Sequence, residues 1–248
     1  MALPKIKQPE YTHFLYGINK EVKFRPFTNA EQKILLLAKE ESKDNKNRII
    51  ESIQQILRNC IIDDINVDEL PIFDIEDLFM RIRAKSVGEV IQIRFSYDYT
   101  DETGATKTDF VKKEVNIDDI KLNKGDDTIS RDVIVDKANN IGIRMKYPTF
   151  GDMKNQDLVS SINNKNNFDT IKSSIEFIYD ENDIYHISDY TDEEIDSFID
   201  DIGVYGMEKI KEFFDNMPTL KHKIEITLPK LNNKKETITL KGIKDFFT

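Results

Sequence analysis

Between Val22 and Gly88 the apolar positions form three blocks, Ile34 to Ala38, Ile49 to Ile62 and Ile72 to Val87. Within each block they recur at three- and four-residue intervals, which predicts three amphipathic helices. A strand leads into them and ends in Phe24-Arg25-Pro26-Phe27. Thr28-Asn29-Ala30-Glu31 follows with the spacing of a capping box. Tyr11 to Tyr16 has matching strand content, so a hairpin around Gly17-Ile18-Asn19 is expected. Gly88 stops the third helix.

From Glu89 the period becomes two. Val90, Ile91, Ile93, Phe95, Tyr97 and Tyr99 make one strand, and Phe110 to Ile117 another. Asp118 to Thr128 reads as polar turn. Val133 to Val135 and Ile141 to Tyr147 form a second hairpin around Ala138-Asn139-Asn140. Four strands in succession predict one antiparallel sheet, whose open edge is suited to accept a partner strand.

Pro148 opens a helical region reaching Ile162, and Asn163 to Asn167 is a polar loop. Ile171, Ile175 and Ile178 predict a further helix, followed by a short strand pair around Tyr179 and Tyr185. Thr191-Asp192-Glu193-Glu194 repeats the capping-box spacing and starts a helix carrying Ile195, Phe198, Ile199 and Ile202. Gly203 and Gly206 break it, and Met207 to Phe214 resume a helix that Pro218 ends. Ile224 to Leu228 and Thr237 to Leu240 make a closing hairpin through Asn232-Asn233. The expected class is α+β in three regions: 1–88, hairpin and three helices; 89–148, antiparallel sheet; 149–248, helices and hairpin. Both end hairpins are basic, so they are expected to pair with each other.

Composition narrows the classes of function. No apolar run approaches the roughly 18 residues of a membrane helix, and Met1 to Lys5 lacks a signal-peptide core, so a cytoplasmic protein with no membrane partner is expected. One cysteine, Cys60, excludes an intrachain disulfide. The net charge of −10 is segregated: residues 1–60 carry 11 Lys/Arg against 7 Asp/Glu, while 180–218 carry 2 against 13 and 219–248 carry 7 against 3. A basic head and tail around an acidic middle suit docking between proteins and do not make a nucleic-acid groove, which needs clustered cations.

Catalytic and metal patterns are missing from the sequence. His13, His186 and His222 are scattered, and a zinc site needs about four ligands at short spacing. Asp180-Glu181-Asn182-Asp183 fails the EF-hand pattern, because Ile184 stands at the third acidic position and the central glycine is absent. Nine dispersed glycines form no phosphate loop, and no Gly-x-Ser-x-Gly elbow occurs. No cofactor, metal, small-molecule substrate or enzymatic activity is expected.

Four ordered blocks carry a family resemblance. They are Lys23-Phe24-Arg25-Pro26-Phe27, Glu31-Gln32-Lys33-Ile34-Leu35-Leu36, Leu70-Pro71-Ile72-Phe73-Asp74 and Arg83-Ala84-Lys85-Ser86-Val87-Gly88-Glu89. Together with the paired Phe, Met-Pro, hairpin and Gly-x-x-x-Phe-Phe order of the last 36 residues, they resemble the T4-type bacteriophage baseplate hub family. The resemblance implies a non-enzymatic hub subunit or hub-assembly protein that binds other phage baseplate hub proteins. A transient assembly chaperone absent from the virion, or an acidic regulatory adaptor, are the alternatives. Family members are described with paired cysteines in the terminal hairpin, but here Leu228-Pro229-Lys230-Leu231 stands there, so no metal knuckle is implied. Partner-binding residues are expected at Phe24, Arg25 and Phe27 and at Phe246 and Phe247. Arg25 fits either an interface anchor or a stack on its own core. The terminal Phe pair fits either a partner pocket or a clasp on its own core.

Overall fold

The computed structural model describes residues 4, 6–41, 47–126, 129–152 and 168–242, and among these it contains six helices and eleven strands. Strands β1 (Tyr11–Leu15) and β2 (Lys20–Phe24) pair antiparallel, with Tyr11 opposite Phe24. Alternation in β2 turns Val22 and Phe24 inward and Glu21 and Lys23 outward. The strand ends three residues before the expected Phe27, because Pro26 has no amide to donate and the Arg25 amide is taken by Cys60 O at 2.9 Å. Helices α1 (Asn29–Glu41), α2 (Asn47–Cys60) and α3 (Ile72–Val87) follow as expected. Leu15, Val22 and Phe24 pack with Ile53, Ile56 and Leu57 of α2 and with Leu78 and Phe79 of α3 in a first core.

Helix α3 is buried on more than one side. Ile75, Leu78, Phe79 and Ile82 face the first core, while Met80 and Ala84 belong to a second. Two carboxylates are buried with them, Asp74 and Asp77. Asp74 accepts the Gly17 amide at 2.9 and 3.1 Å on its two oxygens. A Cβ on Gly17 would lie 2.5 Å from both Asp74 Oδ2 and Pro71 Cγ, so only glycine allows this approach. Asp77 Oδ2 lies 2.7 Å from His13 Nε2, and Asp77 Oδ1 accepts Arg81 Nε at 3.1 Å. Arg81 then donates to the carbonyls of Ile117 (3.3 Å) and Ile120 (2.7 Å).

The second core is built from two hairpins. Strands β3 (Val90–Thr100) and β4 (Thr106–Asn116) pair along their full length, with Val90 opposite Asn116. A 3-10 turn (Ile117–Asp119) buries Ile117, and a short strand β5 (Lys121–Asn123) follows within the segment read from sequence as turn. Strands β6 (Asp132–Asp136), β7 (Ile141–Met145), β8 (Ile175–Tyr179) and β9 (Ile184–His186) form a four-stranded antiparallel sheet in that order. The four strands of 89–148 therefore do not share one sheet. Ile91, Ile93 and Val115 pack in the second core, whereas Val133, Val135, Ile143 and Met145 pack in a third, and the Arg81-anchored segment at 117–120 redirects the chain between them.

Helices α4 (Phe168–Ser173), α5 (Asp192–Asp200) and α6 (Val204–Asp215) complete the third core with Ile171, Ile195, Ile199, Ile210, Phe213 and Phe214. Helix α4 stops before Ile175 and Ile178, which lie in β8. The buried Ser174 hydroxyl closes the helix by donating to Thr170 O at 2.7 Å, and the Ile-Glu-Phe-Ile-Tyr run after it has strand propensity. The Thr191 capping box forms as expected, with Glu194 N–H donating to Thr191 Oγ1 at 3.3 Å. Gly206 does not break the chain but lies inside α6. A Cβ there would fall 2.8 Å from Val135 O, so its absence lets the helix sit directly on β6. In place of the helix expected from Pro148, residues 148–151 form a bridge and turn, with Thr149 bridged to Pro71 and its N–H donating to the Asp152 carboxylate at 2.9 Å; residues 153–167 lie outside the described residues.

The closing hairpin, β10 (Thr219–Leu228) and β11 (Lys234–Lys241), returns to the second core. It does not pair with the first hairpin. Leu220 of β10 instead lies opposite Leu122 of β5, giving the order β11-β10-β5. The Lys230 amide donates to the Tyr97 hydroxyl at 3.2 Å, which joins this hairpin to β3. An aromatic seam runs from Phe73 of α3 through Tyr147 to Phe213 at ring separations of 5.1 and 5.8 Å, linking α3 to the third core.

Two outcomes test this arrangement. Burial pushes the Asp74 carboxyl up to about 6, against the pull of the Gly17, Ile18 and Tyr16 amides and with Asp77 adding to the rise. The folded chain therefore holds a proton that the unfolded chain releases near pH 4, and Asp74's contribution to stability falls as pH rises through this window. Relative to Asp74→Asn, the wild type should lose on the order of 3 kcal/mol between about pH 4 and 6 in urea unfolding; parallel pH curves would refute this. Gly206→Ala should cost about 1–3 kcal/mol, because backbone atoms of β6 must move, read as a lowered thermal midpoint.

Candidate partner-binding site

The segment Phe24 to Thr28 ties three helix ends together through its backbone. Lys23 O accepts the Ile62 amide at 2.9 Å, Cys60 O accepts the Arg25 amide at 2.9 Å, and the Phe27 amide donates to Ser86 Oγ at 2.9 Å. The ends of α2 and α3 are thus bonded to the run that caps α1.

The side chains complete the knot. Arg25 donates through Nη1 to Pro26 O and through Nη2 to Glu31 Oε1, both at 2.9 Å. Glu31 Oε2 accepts the Thr28 amide and hydroxyl, both at 2.7 Å. Glu31 is 3% exposed. Burial raises its carboxyl, but the Arg25 guanidinium and the Thr28 donors outweigh that and hold it at about 2. The same hydrogen bond raises Arg25 above its ordinary value. Burial pushes the Cys60 thiol up to about 12, so it is a packed thiol and not a nucleophile at neutral pH.

The expected anchors divide between interior and surface. Phe24 (2% exposed) and Phe27 (8%) are core groups, with Phe24 stacked on Tyr11 at 5.8 Å, and of the two rings only Phe27 also borders the groove described below. Aromatic residues suit a core and an interface equally, and here the inward face of β2 decides. Arg25 keeps a partly exposed side chain, bonded to Glu31 rather than free. Phe246 and Phe247 lie outside the described residues.

Above this knot runs an open groove of about 970 Å³, lined among others by Arg25, Phe27, Gln32, Ile62, Val87 and Ile6 of the N-terminal arm. Ile6, Ile62 and Val87 are exposed apolar groups at its rim. Ile62 and Val87 escaped the sequence reading because each is the last member of an apolar helical block. Their position at the block ends, beyond the last turn that the core covers, is the trace they leave. The groove combines apolar walls with an arginine held in place by its neighbours, an arrangement suited to binding a protein side chain or segment.

Among the described residues no group of three or more His, Cys, Asp or Glu side chains is placed to hold a metal ion. No described helix is long and apolar enough to cross a membrane. Residues 8–248 match the family described as T4 bacteriophage base plate protein. No curated protein and no solved structure gives a significant match.

Arg25→Ala should destabilise the fold by about 1–3 kcal/mol, since Glu31 stays buried after losing a charged hydrogen-bond partner. Urea unfolding at neutral pH checks this, and an unchanged midpoint would show that the pair adds nothing. The loss should shrink as pH falls from about 4.5 toward 2, where Glu31 takes up its proton and the pair is no longer ionic.

Proposed function

The chain belongs to the T4 bacteriophage base plate protein family, and from that premise we propose that it is a non-enzymatic structural or assembly protein of the baseplate hub. It binds other hub proteins through the groove around Arg25, Ile62 and Val87, and through the terminal Phe246 and Phe247. The observation that carries this reading is the family match over 8–248, which takes in most of the groove lining and the whole closing hairpin. The groove supports it as a docking surface, because its arginine is already fixed and a partner loses little further side-chain entropy on binding.

The segregated charge supports a second version of the same role. A sector with 2 Lys/Arg against 13 Asp/Glu is suited to covering a basic surface of a hub protein while the hub assembles. In that version the chain leaves before the particle is complete.

Co-purification of the tagged protein from infected cells, with mass spectrometry of the pull-down and of finished particles, separates these outcomes. Hub proteins in the pull-down with this chain in the particle make it a subunit. Hub proteins with no chain in the particle make it an assembly chaperone, and host proteins alone overturn the hub reading. Ile62→Asp with Val87→Asp should cut the recovery of hub proteins about tenfold or more while leaving the thermal midpoint unchanged, since both side chains are exposed. Full recovery by the double variant would move the interface away from the groove.

A further inference from the structure

The four-stranded sheet closes one of its edges and leaves the other open. At β6 the edge is covered by α6, whose Gly206 sits against the Val135 backbone. At the other side, no strand lies beyond β9 among the described residues. The Asp180 amide donates to Asp183 O at 3.1 Å, and the register places Ile178 opposite Tyr185. By the alternation of an antiparallel ladder, Ile184 and His186 therefore turn their N–H and C=O groups away from β8. Ile184 is 59% exposed and Tyr190, in contact with the Tyr185 ring at 6.4 Å, is 42% exposed.

Natural sheet edges are protected by lysine, proline, a bulge or a very short edge strand. The outer strand β11 carries Lys234, Lys235 and Lys241, whereas β9 is kept to three residues and carries no lysine, proline or bulge. The sequence on either side of β9 is acidic. Residues 180–201 hold ten Asp or Glu and no Lys or Arg. Among the described residues the ion pairs to them come from Lys172, at 3.0 Å from Asp192 and 2.8 Å from Asp196. Carboxylates at an open edge repel acidic strands and admit basic ones, so this edge selects by charge.

We propose that β9 is the docking edge for an extended, lysine- or arginine-rich segment of another baseplate protein, which adds to the sheet as a fifth strand. The outward groups of Ile184 and His186 supply its main-chain hydrogen bonds, Ile184 and Tyr190 its apolar contacts, and the 180–201 carboxylates its charge complement. The proposal rests on the baseplate reading for the identity of the partner. The selectivity of the edge itself follows from this chain alone.

The test uses the full-length chain and two end-blocked peptides of about ten residues, one alternating Lys and Val and the other Glu and Val. Fluorescence anisotropy should show binding of the Lys/Val peptide only, weakening about tenfold or more between about 50 mM and 500 mM salt. Amide NMR shifts should concentrate at Ile184 and His186. Ile184→Lys, a change at an exposed position, should abolish binding with no change in thermal midpoint. Equal binding of both peptides, or binding unaffected by Ile184→Lys, overturns the proposal. In infected cells, a photo-cross-linking residue at position 184 should capture a Lys/Arg-rich segment of a baseplate protein; capture of a second copy of this chain, or of nothing, overturns it. If Ile184→Lys still recovers hub proteins in full, this inference falls while the hub reading stands. If the wild-type chain recovers none, the hub reading falls while the peptide result still judges the edge.

Discussion

Two carboxylates buried in one helix are the constraint on which the arrangement of this protein rests. A charged group in an apolar interior is costly unless its oxygens are occupied, so Asp74 and Asp77 require hydrogen-bond partners. Asp74 finds the Gly17 turn of the first hairpin, and Asp77 finds His13 of the same hairpin and Arg81 one turn along. Because Arg81 goes on to the carbonyls of Ile117 and Ile120, satisfying the helix also fixes the chain after β4. One polar network thus orients the first hairpin, α3 and the entry to β5. Apolar packing alone is less directional, since Met80 and Ala84 on the far side of α3 would accept several neighbouring surfaces.

The Arg25–Glu31 knot works on the same principle at a helix end. A capping box needs only Thr28 and Glu31, but burial of Glu31 adds a demand for a cation, and Arg25 meets it. The extended run between β2 and α1 becomes as fixed as the helices it joins. That rigidity distinguishes the groove above it from an ordinary surface dip. Its walls come from the arm, from α1 and from the ends of α2 and α3.

Local chemistry was legible in the sequence, and long-range pairing was not. The first hairpin, the three helices, the Thr191 cap and the closing hairpin all follow from spacing within a dozen residues. The partner of the closing hairpin is β5, three residues long and lying in a polar stretch, so no periodicity announced it. Gly206 read as a helix breaker because its justification is the nearness of Val135, which no local pattern records. At the site, the basic-aromatic run Phe24-Arg25-Pro26-Phe27 stands out by composition alone. Residue type could not tell which of its groups face inward, and burial assigns Phe24 and Phe27 to the core and leaves Arg25 at the surface.

The pairing of β5 with β10 also sets an order of events during synthesis. Lys121 lies opposite Lys221, so the sheet that closes the second core joins segments from the middle and the end of the chain. The first hairpin and the three helices hold contacts close in sequence and are able to form while the ribosome is still translating. The apolar face of the β3–β4 hairpin is covered in full only once β10 and β11 emerge, and non-local closure of this kind is slower than local pairing. During that interval the nascent chain exposes Ile91, Ile93 and Val115, a liability it carries until the second core closes.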